Sequence, residues 1–544
     1  MLSTILTMKK IFSVMLVLAS ATAMAQTFST PLKTDRKPWT GIPTFAGNDY
    51  KFVVLPDKTG GDETGAFELA IEEINRLAPD FVINVGDLIG GYFTDVKYCE
   101  RDWKDILGRL EKLEAPFFFV GGNHDMTNQL QTDDFIRRFG ANYYSFNVGP
   151  DLFLVLDTQE HGGRDISDAQ VEYFRGVLDG WDGRHIYVFM HAPLWAPQNH
   201  GGYEHIDELL QGHRYTVFSG HTHQYYYEQR GGMDYFVVAT AGGDSELRGP
   251  LFGEYDHIML VSARDGKPAI ANLPIGSLVP NDIVDKNTMP LIHWMTSGSY
   301  VKAPYLVLDS TAPEEFGIEL SVSNPFDAEM EFGVDFKSGK GLDFSTPHIA
   351  GKMAPRSDKK YTVKVKNPDG VEPGKIVAGI FARYEIKGVP QEANGTLAVL
   401  TDCVRSLAKG EKMTLESRDH YDIDESWDWH GLQDGWFDFD VEYTGRNIVI
   451  TVRTHDDIRA LDKVEIFLES GGKKYAVSCE PETAVLTVPV RKIKNGSFTL
   501  NVKFTDNDDP EEGDPSVLWW RLPSAPGQFR ISPGDSHPQR GLSL

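Results

Sequence analysis

Three cysteines in 544 residues, Cys99, Cys403 and Cys479, are too few and too scattered to describe a disulfide framework. Cys403 and Cys479 can pair if they share a domain, and separate buried thiols are at least as good a reading. Neither a thiolate zinc site nor a cysteine nucleophile has supporting spacing. Basic charge is scarce as well. Against 79 Asp and Glu stand 53 Lys and Arg, a formal net charge of -26, which argues against nucleic acid or anionic membrane binding through a basic surface. An anionic substrate would need local positive charge, which bound metal can supply. Long apolar runs are missing too, so no transmembrane segment is expected. The short run Ile11 to Leu18 follows Met8-Lys9-Lys10 and precedes Ala23-Met24-Ala25. That order is the one of a secretory signal peptide over residues 1–25, with cleavage after Ala25. The expected location is secreted or periplasmic, and Met8 is a candidate start.

The length implies roughly three or four domains. From about residue 50 to 265, strand patterns such as Lys51 to Pro56 and Phe81 to Val85 alternate with helical ones such as Phe67, Ala70, Ile71, Ile74 and Leu77. Short apolar runs bracketed by helices belong to α/β layering with a sheet buried on both faces, in a catalytic domain spanning 40–275. After about residue 275 the helices stop. Short strands separated by turn signals such as Asn367-Pro368-Asp369-Gly370 predict an immunoglobulin-like β-sandwich over 300–390. A third all-β block follows over 395–530, again a β-sandwich, and the last dozen residues read as a polar tail.

Six side chains of metal-binding type stand just beyond strands of the first domain. They are Asp57, Asp87 after Gly86, Asn123 in Gly122-Asn123-His124-Asp125, His191, and the two histidines of Gly220-His221-Thr222-His223. The carboxyl ends of α/β strands form the rim where ligands bind. Two carboxylates, one amide and three imidazoles on such a rim suit hard or borderline divalent cations, and point to a metal-dependent hydrolase.

In the order of these motifs, the stretch from about residue 50 to 265 resembles the calcineurin-like metallophosphoesterase family. The resemblance implies a four-layer α/β/β/α fold and two divalent ions of manganese, iron or zinc. Asp87 would bridge the ions; Asn123, His191 and His221 would complete one shell, and Asp57 with His223 would serve the other. His124 would stand beside the metals, stabilising the phosphate or protonating the leaving oxygen, with Asp125 orienting it. One departure stands out: most members carry a histidine where this chain has Thr59. Purple acid phosphatases, which also lack it, use a tyrosine three residues after the bridging aspartate, and here that residue is Gly90. Tyr92 or Asp95 could substitute only if the loop bends, so the first ion is expected to bind weakly. His161, His200, His205 and Arg248 lie near the same rim. The three histidines read better as loop or surface residues, while Arg248 is an even candidate for facing the site.

Trp427, Trp429, Trp436, Trp519 and Trp520 concentrate in the third block. The stretch Trp436 to Glu469 loosely resembles family 9-like carbohydrate-binding modules, through Phe437-Asp438-Phe439-Asp440 and Thr454-His455-Asp456-Asp457. Exposed indoles stack on sugar faces, whereas core indoles are ordinary in a β-sandwich. The acidic residues from Asp506 to Asp514 suit calcium, or more simply a solvated loop. The sequence therefore leads to an exported metal-dependent phosphoester hydrolase, acting on monoesters or diesters of a phosphorylated small molecule or glycan. The alternative is a catalytically degraded scaffold that binds glycan at a surface; Thr59 and Gly90 favour it, and the remaining ligands oppose it.

Overall fold

The computed structural model describes residues 28–532 except 46, 60–64, 94, 161–162, 197–200, 265–266, 338–340, 418–421, 425–434, 457–461, 480–482 and 507–515. The expected signal peptide, His161, His200, Trp427, Trp429 and the acidic residues after Asp506 lie outside the described residues. The chain divides into two compact units, Met1–Pro290 and Leu291–Leu544. Among the described residues, no helix is long and apolar enough to cross a membrane.

In the first unit the apolar runs fold, in chain order, as β1 (Phe28–Ser29), β2 (Tyr50–Leu55), α1 (Ala66–Leu77), β3 (Phe81–Asn84), α2 (Val96–Leu110), β4 (Phe117–Phe118), α3 (Gln129–Phe139), β5 (Tyr144–Val148), β6 (Asp151–Val155), α4 (Asp168–Leu178), β7 (Ile186–Phe189), α5 (Tyr203–Leu210), β8 (Tyr215–Ser219), β9 (Tyr226–Arg230), β10 (Met233–Val237), β11 (His257–Ala263) and β12 (Ala269–Pro274). They form a seven-stranded sheet, β1-β5-β6-β7-β8-β10-β9, and a five-stranded one, β12-β11-β2-β3-β4. Strands β2, β3 and β4 run parallel, as do β6, β7, β8 and β10. Each sheet therefore gathers several carboxyl ends at one edge.

Successive side chains of a strand point to opposite faces, so a continuous apolar strand must be covered twice. Phe52, Val53, Val54 and Leu55 of β2 are all fully buried. On the outer side of the five-stranded sheet, Phe67 and Ile71 of α1, Trp103 and Ile106 of α2 and Phe135 and Phe139 of α3 pack on Val53, Leu55 and Val82. Phe174 of α4 and Ile206 of α5 cover Leu154, Val188 and Val217 of the other sheet. The two inner faces meet through aromatic rings: Phe118 and Phe146 lie 4.4 Å apart, Phe52 and Tyr187 5.0 Å, and Phe81 and Phe153 5.5 Å. This is the expected four-layer α/β/β/α order. Its limits are wider than 40–275, because Phe28 packs on Trp39, Phe118 and Phe146 and Asp285 bridges to Tyr227.

Among its described residues, the second unit is all β apart from short helical turns and the helix at its start. A sandwich over the expected first block buries Ile318, Leu320, Phe332, Val334, Val363 and Ile380, and a second buries Phe437, Phe439, Ile450, Ile466, Leu500 and Val502. The boundary expected between 390 and 395 falls inside a strand. One strand of 19 residues, Val389–Leu407, runs through it, pairing with Lys375–Ile386 at its start and with Gly527–Ile531 at its end. Its apolar alternation, Ala393, Leu397, Val399, Cys403 and Leu407, is buried throughout, so no turn interrupts it. Cys403 and Cys479 share this unit and remain free thiols, like Cys99. Trp520 is a fully buried core residue. Trp519 is half-buried and packs on Phe467, while half-buried Trp436 stacks on His455 with ring centres 4.0 Å apart.

Candidate metal centre

All six expected ligands come together at the carboxyl ends of β2, β3, β4, β7 and β8. Asp57 follows β2, and its carbonyl accepts the amide of Ala241 at 2.8 Å and the hydroxyl of Thr240 at 3.1 Å. Past β3, the carbonyl of Asp87 accepts the amides of Lys58 and Thr59 at 3.0 and 3.2 Å, tying the first two loops together. Asp87 Oδ1 accepts the amide of His124 at 2.9 Å. His191 presents Nδ1 to the Val85 carbonyl at 2.9 Å, which turns Nε2 inward to 3.1 Å from Asp87 Oδ2 and 2.8 Å from Asn123 Oδ1. His221 points Nδ1 at the same amide oxygen, at 2.8 Å. His223 presents Nδ1 to the Asp244 carbonyl at 2.7 Å and brings Nε2 to 3.4 Å from Asp57 Oδ2. Each imidazole thus has one nitrogen fixed by its neighbours and one turned toward the cluster, the usual arrangement behind a metal-binding histidine.

The backbone departs from ordinary conformations to achieve this. Asp87, His221 and His223 adopt φ of 55°, 75° and 52°, a region non-glycine residues enter at a cost and mostly at functional sites. The motif glycines answer to space. A Cβ on Gly122 would stand 2.2 Å from Asp87 Oδ1, and one on Gly220 2.1 Å from Asp57 Oδ1.

The donors sort into two sets. Asp87, His191 and His221 each offer an atom within 4.8 Å of the others, and so do Asp57, Asp87 and His223. Asp57 Oδ1 is buried without a hydrogen-bond partner, a costly state for a carboxylate unless a cation meets it. Burial pulls the His191 imidazole down, but Asp87 and Asp57 beside it prevail and raise it to about 9. Burial pushes Asp87 up, and His191 more than reverses this, holding it at about 2. The buried carboxylates therefore draw in a proton where a divalent cation would compete for the same charge. Burial and the neighbouring His191 hold His221 down at about 4, neutral and free to donate a lone pair. The residues present fit divalent-cation binding. A third donor group, Glu372, Asp402 and Cys403, does not, because Arg405 and Arg521 already neutralise it.

Several neighbours differ from expectation. Asp125 does not orient His124: its two oxygens accept the amides of Gly122, Asp87, Leu88 and Ile89 at 2.8 to 3.3 Å. It clamps two ligand loops together, while His124 Nδ1 lies 2.5 Å from the Gly90 carbonyl. Asp95 caps α2 through the amide of Lys97 and stays away from the cluster. Tyr92, 43% exposed, places its hydroxyl 3.1 Å from Asn123 Nδ2 and its ring edge-on to His124. The Tyr92 hydroxyl is engaged with Asn123, and no described histidine, cysteine or carboxylate beyond Asp87 and His223 joins Asp57 in place of the histidine absent at Thr59. His205 is an exposed residue of α5, 3.8 Å from Glu208, and Arg248 is paired with Glu254 at 2.7 Å. Sequence reasoning missed Arg164, whose Nη2 lies 3.0 Å from His221 Nε2. It sits in a loop with no motif.

The calcineurin-like phosphoesterase family matches residues 51–225, and the chain belongs to it. It is 30% identical over 213 residues to the serine/threonine-protein phosphatase CPPED1 of Danio rerio, covering 34% of this chain and 69% of that one. Against the protein of the same name in Rattus norvegicus it is 26% identical over 224 residues, covering 35% and 72%. The human protein of that name is 28% identical over 195 residues, covering 30% and 62%. The domain is accordingly that of a hydrolase acting on phosphoric esters.

Proposed function

We propose that the chain is an exported phosphoester hydrolase with a dinuclear metal site. One observation carries this: Asp87 belongs to both donor sets, and a carboxylate can give one oxygen to each of two cations. Asn123, His191 and His221 would hold one ion, Asp57 and His223 the other, with manganese, iron and zinc all suiting mixed oxygen and nitrogen donors. Bound there, the cations supply Lewis-acid activation of a water and of the phosphoryl group. The residues do the rest. Asp57, Asp87 and His191 are fully buried and fix the charge, whereas Asn123, His124, His221 and His223 are half-buried and reachable from outside. His124, held through Nδ1, keeps Nε2 for a proton delivered to the leaving oxygen. The assembled donor sets count against the degraded scaffold. Export rests on the order of charge, apolar run and small residues before Gln26; N-terminal sequencing of the mature protein that found Met1 or Met8 retained would remove it.

The catalytic reading is tested by stripping the full-length protein of metal and reloading it with Mn2+, with p-nitrophenyl phosphate and its diester as substrates. Turnover should depend on reloading. His124→Ala should keep its metal and lose ~100-fold in rate, whereas Asn123→Ala should lose metal. Equal turnover by stripped and loaded protein would contradict the proposal.

A further inference from the structure

We propose that Arg164 grips the terminal oxygens of the substrate's phosphoryl group and biases the site toward phosphate monoesters. This rests on the hydrolase reading above for its substrate, though not for the binding of the anion.

Arg164 stands in the loop between β6 and α4, with φ of 59° directly after Gly163 at 100°. Its amide donates to the Thr158 carbonyl at 2.6 Å, and the Thr158 hydroxyl accepts the amide of Ala192, next to His191, at 3.1 Å. The loop is thereby tied to the frame that carries the ligands. From it the guanidinium reaches the outer nitrogen of His221, at 3.0 Å, while the inner nitrogen of the same ring faces Asn123. Several arginines of this acidic unit are neutralised: Arg109 by Glu68 and Asp105, Arg138 by Asp134 and Glu100, Arg184 by Asp151, Arg248 by Glu254. Arg164 is exposed, and among the described residues no carboxylate lies within 4.0 Å of it.

Asn123 Oδ1 accepts, so His221 Nδ1–H donates to it and Nε2 is left to accept one guanidinium N–H. That bond holds the guanidinium beside the donor sets and uses one of its five N–H donors. The rest of the planar fork matches two phosphoryl oxygens in parallel bonds. A monoester has three terminal oxygens and up to two negative charges, so a third cation beside the donor sets still finds an oxygen to hold. A diester has two terminal oxygens and one charge, and gains less.

The test uses the full-length protein loaded with Mn2+, titrated with inorganic phosphate by calorimetry alongside measurement of metal content. Arg164→Ala should bind phosphate about ten- to a hundredfold more weakly, the loss of hydrogen bonds to a charged group, with metal content unchanged. Arg164→Lys should recover part of the affinity, and Arg175→Ala, which loses only a surface pair with Glu172 on α4, none should be lost. For turnover, Arg164→Ala should lower kcat/KM for p-nitrophenyl phosphate at least tenfold more than for bis(p-nitrophenyl) phosphate. Wild-type phosphate affinity in Arg164→Ala, or no phosphate binding by the wild type, overturns the anion role. Equal losses on both esters overturn the monoester bias. A wild type that binds phosphate through Arg164 yet cleaves neither ester would fail the hydrolase reading instead.

Discussion

Gly122→Ala adds one methyl group at the place where the structure has least room for it. The new Cβ would lie 2.2 Å from Asp87 Oδ1 and 2.6 Å from the Asp87 amide nitrogen. The amide must shift against Asp125, which holds it at 2.8 Å together with three other loop amides. The carboxylate must give way, by roughly 1.2 Å to reach the 3.4 Å at which ordinary contact begins. Metal ligands tolerate displacements of about 0.2 Å, so the shared carboxylate would leave both donor sets at once. Overpacking of this kind costs about 1–3 kcal/mol, or ~2–12 °C in melting temperature for a unit of this size. We expect Gly122→Ala to fold, to melt lower by that amount and to bind Mn2+ at least about a hundredfold more weakly, since two ions lose a charged ligand. Gly108→Ala, in α2 where a Cβ meets nothing within 4 Å, serves as control and should gain roughly 0.5–1 kcal/mol from helix propensity. Calorimetry with metal analysis decides it: wild-type metal affinity in Gly122→Ala would refute the steric account.

Two further outcomes follow from the same structure. Burial raises the Asp157 carboxyl to about 6, partly offset by the Gln159 amide and Asn142; because its folded value lies above the unfolded one, the protein loses stability as pH rises from about 4 to 6, by about 3 kcal/mol. Relative to Asp157→Asn, the wild type should fall by that amount across this window, and a flat difference between the two melting curves would refute it. At the first ion, Thr59 is buried with its amide on the Asp87 carbonyl, and a hydroxyl is a poor ligand, so two unequal metal affinities are expected and Thr59→His should tighten the weaker one. Equal affinities in the unmodified protein would show another ligand in that place.

The six ligands were legible because each is announced locally. An apolar strand ends, a glycine makes room, and a donor follows; the sheets then bring those ends together without further instruction. Asp87 and the two histidines of Gly220-His221-Thr222-His223 needed no long-range knowledge to be singled out. What Asp125 and Arg164 do was not legible, since both act on segments far away in sequence. Asp125 bonds amides 36 to 38 positions away, and Arg164 reaches across 57. Spacing carries no record of such contacts. The strand Val389–Leu407 failed for another reason: its first half is polar and exposed on one side, which looks like a linker until its partner strands are known. The all-β grammar of the second unit came through, while the boundary expected between 390 and 395 falls inside one strand.

The central claim is that Asp87 serves two cations, and metal counting tests it most directly. Wild type, His223→Ala and Asp87→Ala are each titrated with Mn2+ to saturation and bound metal per chain is measured at equilibrium with free metal. The shared carboxylate predicts two equivalents in the wild type, one in His223→Ala and close to none in Asp87→Ala. Two equivalents retained by Asp87→Ala, or one in the wild type, would contradict it.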